Sequence, residues 1–525
     1  MKKILTTVIC SLVGINSMLM ADTSRPKLVV GIVVDQLRTD YIEYLRHHFG
    51  ERGFRLLMQK GAYFRDVDFA SPHADAVNAT ATAMTGASPA SNGITAREIY
   101  DRQSRRVKSP LLTTDAANKE TYSPQTLLLS TLSDEIAIDG IGLGNILSIA
   151  TDPQQAVLLA GHAGTSAVWL DNETGRWVSS SWYKEMPQPI ALANRSSSPA
   201  AKLDTMKWEP VLKLEEYPGI PAQKRYYPFR HTFPTNDRDA FRRWSASPLA
   251  NREITDIAIE CLRQMKLGDR GDVTDMLGLA YTAAPFKYVK DGDYRLELQD
   301  TYLRLDRQLQ RLFDAIDAGP GLGNTVIYLT STGYYDDATT DDPKYRIPGG
   351  DFSKKRAVSL LNSMLTARYG NGNYVERFHG NQIYLDRHLI DAKRLDPSEV
   401  AAAARDFICK MSGVRAAYTE AEIMAGTSPR TAHIRQNTDV KNCGEIYVDF
   451  QPGWNICDDT SFPARTQPTR ASAVSTPAFI FAPQTVPVTV NTPVDATCLA
   501  PTVTQILRIR SPNGAEGRPV ILQPE

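Results

Sequence analysis

The chain has 525 residues, and its 59 basic and 59 acidic side chains give a formal net charge of zero. This length allows one large α/β domain with insertions, or two to three smaller domains. The neutral balance excludes nucleic acid as an expected partner, because such partners usually require a basic face, and it offers no polybasic segment for an anionic membrane.

The N-terminus has the pattern of an export signal. Lys2 and Lys3 precede a mostly apolar run from Ile4 to Met20, which ends near Ala21 before charged and polar residues. We expect residues 1–21 to be a signal peptide, with an uncleaved anchor helix as the alternative. No later stretch approaches the length that spans a bilayer, so we expect an exported protein, periplasmic or associated with the cell envelope, without a transmembrane segment in the mature chain.

Predicted strands and helices alternate along the rest of the chain, which is typical of an α/β fold with a largely parallel central sheet between helical layers. Apolar runs predict buried strands at residues 27–34, 155–161, 273–283, 325–332 and 476–483. Amphipathic patterns predict helices at residues 52–62, 124–138, 296–318 and 493–512. The first strand ends at Asp35, at the sheet edge where α/β proteins usually bind ligands.

Between about residues 164 and 255 the periodic pattern is weak, which predicts an insertion lying on the core domain. The segment holds five of the six tryptophans of the chain: Trp169, Trp177, Trp182, Trp208 and Trp244. Because tryptophan is enriched in binding hot spots, this segment is a candidate recognition surface. The alternative is that the rings pack the insertion onto the core.

Five cysteines follow the export signal, and an odd number leaves at least one of them unpaired. Cys443 and Cys457 flank a short loop and could form a disulfide in an oxidising compartment. Buried free thiols are the equal alternative.

Several segments resemble, in matching order, the secreted phosphate-irrepressible alkaline phosphatases. Those enzymes belong to the nucleotide pyrophosphatase/phosphodiesterase-like branch of the alkaline phosphatase superfamily. The resembling segments include VVGIVVDQLRTDY, TGASPASNGI, LLAGHAGTSAVWLDNETGRWVSSSWY, LQDTYLRLDRQL and APTVTQILRIRSPN. The resemblance implies one alkaline-phosphatase-like domain at residues 22–525, with a cap region inserted at about 164–255.

Members of that family hold two zinc ions with Asp and His side chains, and a Thr or Ser hydroxyl attacks phosphorus between the metals. The two cations clamp the attacking and leaving oxygens, and a metal or a base must activate the hydroxyl. Zinc binding needs a near-complete set of nitrogen and oxygen ligands, so each ligand position matters.

Asp35 matches the first zinc ligand and is the only ligand position that this sequence retains. In the family the nucleophile lies nine residues before the Thr of a T-G-x-x-P motif, which is Thr85 here. That spacing places the nucleophile position at Ala76, which has no hydroxyl. Thr80 and Thr82 lie on the helical stretch that follows and would need a shift in register to replace it. The alternative role for Asp35 is to cap the next turn through backbone N–H groups.

The other zinc ligands are replaced. The Asp and His of a D-x-x-x-H segment correspond to Pro285 and Val289, and an adjacent Asp-His pair corresponds to Thr332 and Gly333. A late family histidine precedes the last buried strand, but the final histidine of this chain is His433. The resemblance therefore predicts a chain without the family's zinc site.

The positions that contact phosphate in the family have also changed. A Lys and an Arg correspond to Asp152 and Gln154, and an Asn falls near Arg97. Arg97 could bind an anion, and the alternative is an ordinary surface charge. Tyr334 and Tyr335 lie where the metals would be, so their rings could fill the vacated space.

Two functions follow from these residues. The first is a catalytically impaired family member, a pseudoenzyme without a catalytic residue or an expected metal cofactor, that binds an unknown protein partner or ligand in the cell envelope. The second is an active phosphate-ester hydrolase, either with zinc or with a rebuilt oxygen-ligand site for magnesium or calcium. That rebuilt site would use Asp35, Asp75, Asp336 and Asp337, with water or Thr80 as the nucleophile. A weaker third idea is a structural subunit of an envelope complex.

Overall fold

A computed structural model describes residues 25–522 except 184–185, 221–223, 225, 227, 272, 290–291, 337–348, 461–464, 470–473 and 484. Its largest sheet has nine strands, in chain order β1 (Leu28–Asp35), β2 (Ala62–Phe64), β3 (Ile146–Ala150), β4 (Ser166–Asp171), β5 (Arg176–Ser179), β6 (Asp275–Thr282), β7 (Thr325–Ser331), β8 (Ala478–Phe481) and β9 (Val488–Val490). Their order across the sheet is β5-β4-β3-β6-β1-β7-β8-β2-β9. Only β5 and β8 run against the other strands, so the expected, largely parallel sheet is confirmed.

Alternate side chains of β1 enter two separate apolar clusters, because successive residues of a strand point to opposite faces. Leu28, Val30, Ile32 and Val34 lie on one face, and Val29 and Val33 lie on the other. The first face is covered by helices Thr39–Leu45, Phe54–Lys60, Pro248–Gln264 and Arg295–Ala318. The second face is covered by helices Ala76–Thr85, Leu132–Asp139, Pro153–Ala160 and Leu499–Leu507.

A second, smaller core lies between residues 351 and 458. It is built on a four-stranded antiparallel sheet of Val375–His379, Gln382–Leu385, Ile446–Phe450 and Val414–Thr419, in that spatial order. Helices Lys354–Tyr369 and Pro397–Ile408 contribute apolar side chains to this core. Short helices Arg387–Ala392, Glu420–Ala425 and Pro429–Arg435 complete the region.

The predicted strand at residues 155–161 is wrong, because this stretch forms the helix Pro153–Ala160. Asp152 caps the helix by accepting hydrogen bonds from the backbone N–H groups of Gln154 and Gln155 at 2.8 and 3.2 Å. The helix is buried throughout from its second residue onward, so its apolar run carries no periodicity that distinguishes helix from strand. The signal that was overlooked is the Asp-Pro pair at its start.

The predicted helix at residues 124–138 is shorter than expected. Residues Pro124–Thr126 form a 3₁₀ turn, and the α-helix begins only at Leu132. Thr131 caps this helix, and its hydroxyl accepts a hydrogen bond from the Asp134 N–H at 3.2 Å. The C-terminal helix is likewise limited to Leu499–Leu507. The helix at 296–318 and the strands at 27–34, 273–283, 325–332 and 476–483 are confirmed.

The segment expected to form an insertion at about 164–255 is continuous with the core at both ends. It contains β4 and β5 at one edge of the sheet, and its last helix, Pro248–Gln264, packs beside Arg295–Ala318. Four of its tryptophans are buried, and only Trp182 is exposed, at 40%. These rings therefore pack the segment onto the core, and they do not form a tryptophan-rich recognition surface.

Cys443 and Cys457 are both free thiols, so the structure shows the alternative without a disulfide. Within the described residues, no helix combines the length and the hydropathy that crossing a bilayer requires.

Candidate functional site

The candidate site lies at the C-terminal edge of the sheet, where β1 and β7 end side by side. Asp35 is the last residue of β1, and Thr332 directly follows β7. The Thr332 hydroxyl donates a hydrogen bond to Asp35 Oδ1 at 3.0 Å and accepts one from the Gln36 N–H at 2.9 Å. Thr332, which replaces a zinc ligand in the alignment with the family motif, is therefore hydrogen-bonded to Asp35, which matches a retained ligand.

Tyr334 also contacts Asp35. A hydrogen bond between the two side chains favours the ionised form of Asp35, and Gln36 Nε2 donates to the Tyr334 hydroxyl at 3.5 Å. Burial and the nearby carboxylates of Asp35 and Asp336 raise the pKa of Tyr334 well above its ordinary value. The phenol of Tyr334 is therefore neutral, and its hydroxyl can donate a hydrogen bond to Asp35.

Tyr335 does not share this role. Its side chain is only 3% exposed and belongs to the apolar cluster on the first face of the sheet. The Arg38 guanidinium carbon lies 4.2 Å from the centre of the Tyr335 ring, close enough for a cation–π contact. Of the two rings expected near the metal positions, that of Tyr334 lies beside Asp35 and that of Tyr335 lies beside Arg38.

The environment of Asp35 favours the protonated carboxyl. Burial raises its pKa to about 6, and the hydrogen bonds from Tyr334 and Thr332 and the charge of Arg97 only partly offset this increase.

Asp75 lies beside the nucleophile position and caps the helix Ala76–Thr85. Its Oδ1 accepts hydrogen bonds from the N–H groups of Val77 and Asn78 at 2.8 and 2.9 Å, and its Oδ2 accepts one from the Arg97 N–H at 2.7 Å. Both oxygens are therefore engaged by the backbone. Ala76 is the first residue of this helix, and its methyl group is buried.

Thr80 lies one turn into the same helix and is fully buried. Its hydroxyl donates to the Ala76 carbonyl at 2.6 Å and accepts from Gln155 Nε2 at 3.3 Å. Thr82 is also buried within this helix. Neither hydroxyl is available at the sheet edge, so neither replaces the missing nucleophile.

Arg97 and Asp152 form an ion pair between their side chains. Arg97 is thus neither an isolated surface charge nor an unpaired anion-binding group. Its pKa is raised mainly by Asp152 and further by Asp75, Tyr334 and Asp35, so the guanidinium lies within electrostatic range of these residues. The other altered phosphate position, Gln154, is buried and accepts a hydrogen bond from the Ser109 hydroxyl at 2.7 Å.

The segment after β6 carries two further lost ligand positions and is largely apolar. Pro285 is buried, and the ring of Phe286 packs 5.0 Å from that of Trp208 and 4.8 Å from that of His231, measured between centroids. Val289 packs against the same apolar cluster. This segment is tied to the core, and neither replacement offers a metal donor.

Gly333 occupies the position of a family histidine and has no room for a side chain. Its φ is +71°, a left-handed conformation that favours glycine, and a Cβ built there would lie 2.2 Å from Phe69 Cδ2. Phe69 is itself buried. A ligand at this position would therefore require both the backbone and an aromatic ring to move.

Asp336 is the last described residue of the loop that follows Gly333. Its N–H donates to Gln36 Oε1 at 2.9 Å, and its carboxylate lies 3.6 Å from Lys287 Nζ. Asp337, the other acid considered for a rebuilt site, lies outside the described residues. Among the residues that the structure describes, no group of three or more His, Cys, Asp or Glu side chains is arranged to hold a metal ion. The side chains that the structure describes at this site do not fit the family's two zinc ions.

His162 and His433 do not supply a replacement ligand. His162 contacts Asp134 through Nδ1 at 3.0 Å and the Leu127 carbonyl through Nε2 at 3.1 Å, so both ring nitrogens have structural partners. His433 lies on the helix Pro429–Arg435 of the smaller core region. Neither histidine contacts Asp35.

Comparisons with known proteins agree with this fold. A family model described as type I phosphodiesterase/nucleotide pyrophosphatase matches residues 29–472. The chain is 26% identical to alkaline phosphatase PhoV of Synechococcus elongatus, over 94% of this chain and 92% of that protein. It is also 26% identical to alkaline phosphatase PafA of Elizabethkingia meningoseptica, over 94% of each protein.

The structural comparison gives the same result. The crystal structure of wild-type alkaline phosphatase PafA superposes with a TM-score of 0.80 at 24% identity, covering 94% of this chain and 98% of that chain. This likeness confirms the expected alkaline-phosphatase-like α/β fold. The chain belongs to the type I phosphodiesterase/nucleotide pyrophosphatase family, within the alkaline phosphatase superfamily.

Proposed function

We propose that this chain is a catalytically impaired family member that works as an exported binding or scaffold protein. The observation that carries the proposal is the contact of Asp35 with Thr332 and Tyr334. The hydroxyl groups of Thr332 and Tyr334 form hydrogen bonds with Asp35, the one ligand position that the sequence retains. Under this proposal the protein holds no zinc cofactor. It binds a partner in the cell envelope, either a protein or a ligand, that is not yet identified.

The chemistry of phosphoryl transfer supports this proposal. The reaction needs cations that neutralise charge on the transferring group and a nucleophile that is activated in line with the leaving oxygen. Here the nucleophile position is Ala76. In its helix, the Thr80 hydroxyl is hydrogen-bonded to the Ala76 carbonyl, and Thr82 is buried. The Arg97 guanidinium is paired with Asp152, which weakens its ability to hold a phosphate oxygen.

The contacts of the candidate acids argue against a rebuilt oxygen-ligand site. Such a site would have to draw Asp75 away from three backbone N–H donors and Asp336 away from Lys287. Losing the cap alone would cost about 1 kcal/mol. No contact in the described part of the chain favours this second function.

The test is to purify the mature protein and measure its metal content and hydrolytic activity. We expect well under one zinc, magnesium or calcium ion per chain by elemental analysis. We also expect no hydrolysis of an aryl phosphate or a bis(aryl) phosphodiester at alkaline pH, with or without added zinc or magnesium. PafA purified in the same way provides the positive control.

The variant Asp35→Asn makes the test decisive. If the protein holds two metal ions per chain and shows turnover that this variant abolishes, the proposal is wrong and the chain is an active hydrolase. If the wild-type protein and the variant are equally inactive and equally free of metal, the proposal stands. A pull-down from the cell-envelope fraction then identifies the partner.

A further inference from the structure

A shallow cavity of about 370 Å³ lies between the helices Pro248–Gln264 and Arg295–Ala318, outside the site at Asp35. It is lined by Val211, Arg252, Arg304, Arg307, Gln308 and Arg311. Four of these six residues are arginines, although the chain as a whole has no net charge. Such a local excess of one charge is the electrostatic basis of anion recognition.

The arrangement follows from the helical repeat. Arg304, Arg307, Gln308 and Arg311 are spaced i, i+3, i+4 and i+7, so they form one continuous face of the helix Arg295–Ala318. Arg252 comes from the neighbouring helix, which packs alongside. Two elements therefore direct positively charged residues at the same cavity.

The acidic neighbours neutralise only part of this charge. Asp300 pairs with Arg304 at 2.6 Å, and Asp256 pairs with Arg311 at 2.5 Å and with Arg252 at 3.7 Å. Arg307 is exposed, and the described part of the chain provides it with no salt bridge. Counting only the carboxylates in salt bridges, two carboxylates face four guanidinium groups, which leaves an excess of two positive charges.

Two of the arginines are already held in position. Arg304 donates through Nη2 to the Glu209 carbonyl at 2.6 Å, in addition to its contact with Asp300. Arg311 donates through Nη1 to Gln308 Oε1 at 2.8 Å, and the Gln308 side chain is itself buried. Because these side chains are ordered before a ligand arrives, less conformational entropy is lost on binding.

We propose that this cavity binds a polyanion that carries two or more phosphoryl groups. The planar guanidinium group donates two parallel hydrogen bonds to phosphate oxygens, which favours arginine over lysine in such sites. Two uncompensated charges match two phosphoryl groups better than one. The ligand is either a free polyphosphate compound or a phosphorylated lipid headgroup, and the inference does not depend on the proposed loss of phosphatase activity.

The test measures the binding of inorganic tripolyphosphate to the full mature chain by calorimetry, at a salt concentration of about 0.15 M so that weak surface attraction is screened. The double variant Arg307→Gln and Arg311→Gln should weaken binding by roughly tenfold or more. The matched control is Lys355→Gln with Arg356→Gln, two exposed cations on another helix. This control should bind like the wild-type protein.

Further measurements keep the test decisive. If the double variant is unstable, as judged by circular dichroism, the single variant Arg252→Gln should still weaken binding, because its side chain is exposed. Flotation with vesicles that contain cardiolipin, whose headgroup carries two phosphodiester groups, distinguishes the sources: arginine-dependent flotation indicates a lipid headgroup, and tripolyphosphate binding without flotation indicates a free compound. Absent binding of both probes, or binding that is unchanged in the arginine variants, overturns the inference.

Discussion

The Thr332 hydroxyl and the Asp35 carboxylate are 3.0 Å apart and hydrogen-bonded, which joins the ends of two neighbouring parallel strands. In the family that this chain resembles, the corresponding residues would both bind a metal. Here the Thr332 hydroxyl satisfies one oxygen of Asp35. This internal hydrogen bond and the burial of Asp35 have measurable consequences for stability.

The first prediction concerns the pH dependence of stability at Asp35. Its pKa is about 6 in the folded protein and about 3.9 in an unfolded chain. The stability that Asp35 contributes is therefore fully present below pH about 4 and is lost as the pH rises through about 6. Above that value, the ionised carboxylate costs about 3 kcal/mol.

The variant Asp35→Asn should accordingly raise the free energy of unfolding by about 3 kcal/mol at pH 8 and by about half as much at pH 5. Urea denaturation at the two pH values measures the difference. Asp391→Asn, which removes an exposed carboxylate elsewhere, is the control and should have no pH-dependent effect. A loss of stability at pH 8 in Asp35→Asn would indicate instead that the carboxylate holds a cation.

The second prediction concerns the close approach of Gly333 to Phe69. Gly333→Ala places a Cβ in a left-handed backbone conformation and against a buried ring, so we expect a loss of about 2–4 kcal/mol in the free energy of unfolding. The control is Gly271→Ala, where φ is +57° but no atom lies within 4 Å of the added Cβ. It should lose only about 1 kcal/mol. If chemical denaturation showed the same loss of unfolding free energy for Gly333→Ala and Gly271→Ala, the Phe69 side chain would be able to move aside at little cost, and the prediction would be wrong.

The third prediction concerns the buried carboxylate of Asp300, which accepts four hydrogen bonds. The donors, at 2.6–2.7 Å, are Trp208 Nε1, the Val211 N–H, the Tyr217 hydroxyl and Arg304 Nε. Asp300→Asn replaces an acceptor oxygen by a donor and leaves a partly buried arginine unpaired. We expect a loss of about 3–5 kcal/mol.

Hydrogen exchange locates that loss. The backbone amides of residues 207–217 should exchange faster in Asp300→Asn, because this segment is attached to the helix Arg295–Ala318 through the carboxylate. Asp391→Asn again serves as the control. Unchanged protection of residues 207–217 would show that apolar packing alone holds the segment.

Much of the central sheet could be predicted from the sequence because its strands are long, apolar and buried on both faces. The runs that form β1, β6, β7 and β8 have this character. The same property misled the prediction for Pro153–Ala160, since a fully buried helix is also apolar throughout. The smaller core was not predicted, because its strands are short and two of its three strand pairings join residues more than 25 positions apart in the sequence.

Some features of the candidate site could likewise be predicted from the sequence, and others could not. The side chains present at Ala76, Pro285 and Val289 follow directly from the sequence once the motifs are aligned. The role of Asp75 was also accessible, because the sequence DAVN carries a capping pattern that the structure forms with Asn78. The contacts of Thr332 with Asp35 and of Gly333 with Phe69 were not, because they join residues more than 250 positions apart and arise only from the assembled sheet.

The fourth prediction concerns the ion pair of Arg97 and Asp152 in the candidate site. A double-mutant cycle of Arg97→Gln and Asp152→Asn should give a coupling energy of about 1 kcal/mol, kept low because the arginine side chain is 46% exposed. Asn at position 152 retains the ability to cap the helix Pro153–Ala160, so the cycle isolates the ion pair. Urea denaturation of the four proteins supplies the energies. Arg97→Gln combined with the distant Asp391→Asn should be additive within about 0.5 kcal/mol, and a comparable coupling there would refute a specific pair.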